Sequence, residues 1–97
     1  MASVYILYSR SHDSYYIGFT TELVEVRIDR HNNDYYENKY TRSGKPWALF
    51  LEIKCSTDDQ AKSIEKHIKS MKSKKYIHDL KIYPEMIEKL LARFADS

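Results

Sequence analysis

The chain has 97 residues, 42% of them hydrophobic and 31% charged, with only two Gly and two Pro. A chain of this length closes one hydrophobic core, and this composition excludes disorder, collagen-like repeats and low complexity. Its formal net charge is only +2, but residues 62–81 hold seven lysines against two acids, Glu65 and Asp79, leaving the rest of the chain slightly acidic.

No apolar run approaches the roughly 20 residues of a membrane span. The first residues, Met-Ala-Ser-Val-Tyr-Ile-Leu-Tyr, lack the basic n-region and long apolar h-region of a signal peptide. A lone cysteine, Cys55, excludes an internal disulfide and a four-cysteine zinc site, so a reducing cytoplasm is the expected location. Cys55 itself reads as a small hydrophobe at a strand end.

Residues 3–9 are β-branched, aromatic and aliphatic without a breaker, which predicts a strand. Val4, Ile6 and Tyr8 fall on one face and Tyr5 and Leu7 on the other. A strand apolar on both faces belongs in the middle of its sheet. Residues 10–14 are turn-like, and residues 15–19 resume the strand pattern, giving an antiparallel hairpin. Gly18 inside a strand is costly unless something approaches the backbone there, and room for a substrate backbone is the expected reason.

Thr20 or Thr21 is the expected cap of a helix over residues 22–31, with Leu23, Arg27 and His31 on one face and Val24 and Ile28 beside them. Residues 32–45 read as a long loop of Asn, Asp, Tyr, Lys and Ser, of the kind that is functional or mobile. Residues 47–54 predict a third strand, with Pro46 at its start. A second helix begins at Ser56 or Thr57 with Asp58 and Asp59 in its first turn and Ala61, Ile64 and Ile68 as its apolar stripe. Glu65 shares or borders that stripe, and a carboxylate there needs a partner. A lysine-rich turn, a short helix through Tyr76, Ile77 and Leu80, and a last helix opened by Pro84 with the stripe Ile87, Leu90, Leu91 and Phe94 complete the chain. The order ββαβααα predicts an α+β fold, a small three-stranded antiparallel sheet flanked by helices in one domain.

Four features carry chemistry: the tyrosines of the hairpin, Arg27 with His31, Glu65, and the lysines that follow it. Hydrolysis of a phosphodiester needs a base for water, a cation on the phosphate and usually a metal. Arg27 offers a planar fork suited to phosphate, and Glu65 a hard oxygen ligand suited to Mg²⁺ or Mn²⁺. The lysines either attract a phosphate backbone or form an ordinary solvated face. No Ser-His-Asp pattern, glycine-rich phosphate loop or paired-histidine metal motif is present.

The run Ser3-Val4-Tyr5, followed about ten residues later by Tyr16-Ile17-Gly18, resembles the motif pair of the GIY-YIG nuclease family. The resemblance continues through Leu23, Arg27 and His31, then Tyr40-Thr41, Pro46-Trp47, and Glu65 with Ile68-Lys69. It covers roughly residues 3–75, leaving residues 76–97 as a helical extension, and is nearest to the small single-domain bacterial branch. The N-terminal nuclease domain of the repair excinuclease is similar. The resemblance implies a shallow active site on one sheet face and one divalent cation, Mg²⁺ or Mn²⁺. Tyr5 then matches the tyrosine that helps activate the attacking water, Tyr16 its partner at the scissile phosphate, Arg27 the phosphate-binding arginine, His31 the adjacent histidine and Glu65 the metal-binding carboxylate. Many members carry an Asn after the metal-binding helix; Lys69-Ser70-Met71-Lys72 stands there in this chain.

The expected function is a metal-dependent endonuclease cutting DNA, with branched or damaged structures in repair or recombination as candidate targets. Gly18, Lys69 and Lys72 are the expected DNA contacts. The rival is a non-catalytic module that keeps the fold and binds nucleic acid or protein. Phosphate contacts position but do not specify, so a chain this small is not expected to read a long sequence, and a partner protein would help it find its target.

Overall fold

The computed structural model describes residues 2–33 and 43–96. Three strands, β1 (Ala2–Ser9), β2 (Ser14–Thr20) and β3 (Trp47–Cys55), form one antiparallel sheet in the order β2-β1-β3. Among the described residues four helices accompany them: α1 (Val24–Asn32) between β2 and β3, then α2 (Asp58–Met71), α3 (Lys74–Ile82) and α4 (Pro84–Arg93). The ββαβααα order and the α+β class are those the sequence predicts.

β1 is central because both its faces are apolar, and Val4, Tyr5, Ile6 and Leu7 are all fully buried. Strand alternation splits the sheet into two cores. Ala2, Val4 and Ile6 pack with Ile53, Cys55 and the α2 stripe of Ala61, Ile64 and Ile68. Tyr5 and Leu7 pack on the other side with Val24 of α1 and Trp47. Cys55 is buried with its thiol pointed at the Ile53 carbonyl, 3.6 Å away, as an inert small hydrophobe would be.

Two expectations for α1 are corrected. The helix begins at Val24, not residue 22, and neither threonine caps it; Leu23 occupies the cap position. Thr20 ends β2, and its hydroxyl accepts from the Glu22 backbone N–H (2.9 Å), so it shapes the turn rather than the helix. Leu23 is consequently 72% exposed instead of sharing the inward face, which Val24 fills.

β3 also departs from plain alternation. Leu49 pairs with Leu7 and Leu51 with Ile6, so Phe50 is an extra residue, a β-bulge. Trp47 and Glu52 are five residues apart and would face opposite ways on a regular strand. The bulge puts both on the Tyr5 face, opposite Ser9 and Tyr5 respectively.

The α2 N-cap is Thr57, whose side chain accepts from Gln60 N, as the sequence leads one to expect. Buried Gln60 then closes the helix layer, accepting from Ser56 N (2.7 Å) and donating to the Leu91 carbonyl of α4 (2.9 Å). α2 ends at Lys72, which holds φ 48° and ψ 44°, a left-handed cap normally given to Gly or Asn.

Gly18 is buried opposite Tyr5 in the β1–β2 ladder. A Cβ built on it would lie 2.5 Å from the Tyr5 hydroxyl and 2.8 Å from its Cε1. The room expected for a substrate backbone is therefore filled by the Tyr5 phenol. Because that ring is wholly enclosed, it cannot swing away. Gly18→Ala is expected to cost about 1–3 kcal/mol by overpacking, seen as a lower urea midpoint at unchanged m-value. A midpoint equal to that of the parent chain would show that the ring is not held there.

Candidate active site

Four of the five expected catalytic side chains converge on the Tyr5 face of the sheet. Tyr5 stands on β1, Tyr16 on β2, and Arg27 and His31 one turn apart on α1, which lies across that face. The Tyr5 hydroxyl and His31 Nε2 are 3.2 Å apart. Ring centroids of Tyr16 and His31 are 4.6 Å apart, and those of Tyr5 and Tyr16 are 6.3 Å apart. The Arg27 guanidinium lies 5.9 Å from the Tyr5 ring centroid, with its outer edge 4.0 Å from Glu22. Arg30, one position before His31, takes the shorter bond to Glu22 at 2.9 Å, which leaves Arg27 the looser of the two ion pairs.

Burial sets the electrostatics. Tyr5 has no exposure and His31 only 3%. The His31 imidazole is pushed down from its ordinary 6.5 to about 4, first by desolvation and then by the Arg27 charge. It is neutral at physiological pH. In the tautomer with its proton on Nδ1, Nε2 accepts the Tyr5 hydroxyl proton in a hydrogen bond.

Glu65 stands apart from the four. It lies on α2, whose buried stripe packs against the other face of the sheet. Its side chain is 21% exposed, and among the described residues its carboxylate meets Lys69, 3.1 Å away, and none of the four. One half-buried carboxylate fits a hard divalent cation that keeps most of its waters. A caged metal would need more: no group of three His, Cys, Asp or Glu side chains able to hold one occurs among the described residues. Lys69 is accordingly an ion-pair partner with 55% of its side chain exposed, and Lys72 is the left-handed cap of α2. Tyr40 and Thr41, part of the sequence resemblance, lie outside the described residues.

Three supporting contacts escape a reading of the sequence, although Ser3 and Trp47 themselves belong to the resemblance. Asn32 clamps α1 to β3: its Oδ1 accepts from Trp47 N (2.6 Å) and its Nδ2 donates to Trp47 O (3.0 Å), fixing the helix turn that carries His31. Trp47 in turn walls Tyr16, centroid to centroid 6.2 Å. Ser3 donates to Glu52 Oε2 (2.8 Å), holding a second carboxylate on the Tyr5 face. The only sequence signal for the clamp is an Asn directly after His31 with a Trp fifteen residues on.

The profile of the GIY-YIG catalytic domain matches residues 1–77. The chain therefore belongs to the GIY-YIG family, whose members are endonucleases acting on DNA and generally dependent on a divalent metal. Comparison with curated proteins and with solved structures gave no match. The family match ends inside α3, so α4 lies beyond it.

The depressed His31 value makes stability depend on pH. The unfolded chain takes up this proton near 6.5 and the folded chain only near 4. Between those values the unfolded state binds more protons, so the neutral ring's contribution is complete above pH 6.5 and is lost as pH falls toward 4. The shift corresponds to about 3 kcal/mol. Urea unfolding of the parent and of His31→Gln across this window is expected to give a stability difference that shrinks with acid. A difference that stays flat with pH would contradict a neutral buried His31.

Proposed function

We propose that the chain is a divalent-metal-dependent endonuclease that hydrolyses DNA phosphodiester bonds, with branched or damaged DNA as its target. The observation that carries the reading is the meeting of Tyr5, Tyr16, Arg27 and His31, the residues singled out by the sequence resemblance, on one sheet face. In this reading Arg27 exchanges its long contact with Glu22 for a phosphate, whose two oxygens suit its planar fork. Tyr16 lines the phosphate beside it. Tyr5, its oxygen held by neutral His31 through Nε2, takes the proton of the attacking water as the phenolate. Glu65 would be the residue to hold a divalent cation, which would supply charge stabilisation for the reaction. Lys69 and Lys72 would contact phosphates along the DNA backbone. The cytoplasm, where thiols stay reduced, suits buried and unpaired Cys55.

A second reading is favoured by the burial itself. The Tyr5 hydroxyl is enclosed and the Glu65 carboxylate is occupied by a lysine. A module that keeps the fold and binds DNA or a partner protein without cutting would need neither group uncovered.

Incubation of the purified chain with branched and linear DNA in Mg²⁺, Mn²⁺ or EDTA separates the two. The nuclease reading expects cleavage with metal and none in EDTA. It expects Glu65→Gln to abolish cleavage with DNA affinity retained, and Arg27→Lys to slow single-turnover cleavage by about tenfold or more, 1.4 kcal/mol of transition-state stabilisation. Full metal-dependent activity in Glu65→Gln would remove the metal assignment. Absence of cleavage under every condition would leave the binding module.

A further inference from the structure

The sheet face opposite the four catalytic candidates is not wholly given over to core. Toward the hairpin it continues past Ile6 into Tyr8, whose cross-strand partner is Tyr15. Phe50, the bulged residue of β3, and His78 of α3 join them around a cleft of about 270 Å³. The rings adjoin in a chain, with centroids 5.2 Å apart for Tyr8 and Tyr15, 5.1 Å for Tyr15 and Phe50, and 5.4 Å for Phe50 and His78. Their planes meet at 48°, 71° and 51°, so they stand as the walls of a cup rather than a closed stack. Tyr8, Tyr15 and Phe50 are half-buried and His78 is exposed.

The rim of this cup is electropositive. Lys81 Nζ lies 4.6 Å from the Phe50 ring centroid. The acid at the rim, Asp13, is already engaged: it accepts from the Tyr8 hydroxyl (2.8 Å), and Lys74 pairs with its carboxylate (3.7 Å) and donates to its backbone carbonyl. An aromatic cup with cations at its mouth fits a flat ring attached to an anionic backbone. Every nucleobase offers such a face once it is unstacked, and an aromatic side chain can take it without regard to sequence. A duplex keeps its bases stacked and presents only phosphates to a surface of this kind.

We propose that the cup of Tyr8, Tyr15, Phe50 and His78 is a binding site for an unpaired nucleobase of a DNA strand, with Lys81 at the adjoining phosphate. The choice of a nucleic acid as ligand rests on the nuclease reading; the cup itself does not. Because Tyr8 and Tyr15 face away from Tyr5 and Tyr16, a base held here is not at the point of cleavage. The site gives the chain a grip on single-stranded or branched DNA that a plain duplex lacks, which deepens the proposed target class.

The test uses the full chain in EDTA, where no cleavage intervenes. A fluorescein-labelled oligothymidylate and a duplex of equal length are titrated with the parent chain, His78→Ala and Phe50→Leu. His78 is exposed on its helix, so its replacement by Ala leaves the core intact, and a melting curve checks this. Oligothymidylate affinity is expected to fall at least about fivefold in each variant while duplex affinity stays within about twofold, the lower end of what stacking one base is worth. Ring protons of Tyr15 and His78 in the parent are expected to move upfield on addition of oligothymidylate. Unchanged affinity, equal losses on both DNAs, or an absence of ring shifts would each overturn the proposal. A chain that cuts no DNA yet loses only oligothymidylate binding in these variants would sink the nuclease reading and leave the cup standing. Normal cleavage with equal affinities would do the reverse.

Discussion

One side chain, Tyr5, joins the two hairpin strands to the first helix. The Tyr5 ring lies against the bare Cα of Gly18 on the neighbouring strand, and its hydroxyl ends at His31 Nε2 on α1. β1, β2 and α1 are thus fastened through a single side chain. The contact accounts for a glycine in a strand interior, where it otherwise weakens the sheet. The same contact holds a histidine kept neutral inside the protein: the ring is desolvated and next to Arg27, and both conditions oppose its protonation. The interaction that orders these elements also fixes where the Tyr5 oxygen stands, against His31 Nε2.

The two sides of β1 are built for different ends. On the α2 side aliphatic residues interlock with the helix stripe in an ordinary core. On the α1 side Leu7, Val24 and Ile28 are joined by Tyr, Trp, His and Arg, large groups with polar tips. Asn32 braces this side by joining the end of α1 to the first residue of β3. The bulge at Phe50 completes it, bringing Trp47 and Glu52 to one face and sending the Phe50 ring to the other, among Tyr15 and His78. Among the described residues Glu65 makes none of these contacts: it rides on α2, whose stripe packs on the aliphatic side, and it pairs with its own neighbour Lys69.

The elements are legible in the sequence where local pattern decides them. Residues 3–9 announce a central strand because no solvated position interrupts them, and the α2 stripe is spaced for one helix face. The α1 boundary is not legible, since Thr20 can serve a helix cap or a strand-end turn with the same hydroxyl, and only the tertiary path of the chain chooses. Gly18 reads as space for a ligand because a sequence does not say which neighbour fills a gap; the cross-strand register gives it to Tyr5. The β3 bulge leaves no trace in its run of apolar residues, where one extra residue does not break the pattern. Within the site, the spacing of Arg27 and His31 on a helix is visible, and so is the i,i+4 pairing of Glu65 with Lys69, whereas the Asn32 clamp depends on a partner that spacing alone does not select.

The central claim is that the buried hydroxyl of Tyr5 serves chemistry and not packing, and Tyr5→Phe tests it most directly. The substitution keeps the ring on Gly18 and removes only the oxygen at His31. Single-turnover cleavage and thermal unfolding of the two proteins are to be measured side by side. The account predicts a cleavage rate lower by about 10²–10⁴-fold, the usual worth of general-base assistance. It predicts a stability change of only about 1 kcal/mol for the lost hydrogen bond. Cleavage at the parent rate, with the melting temperature lowered by the same bond, would contradict it and leave Tyr5 a core residue that happens to meet a histidine.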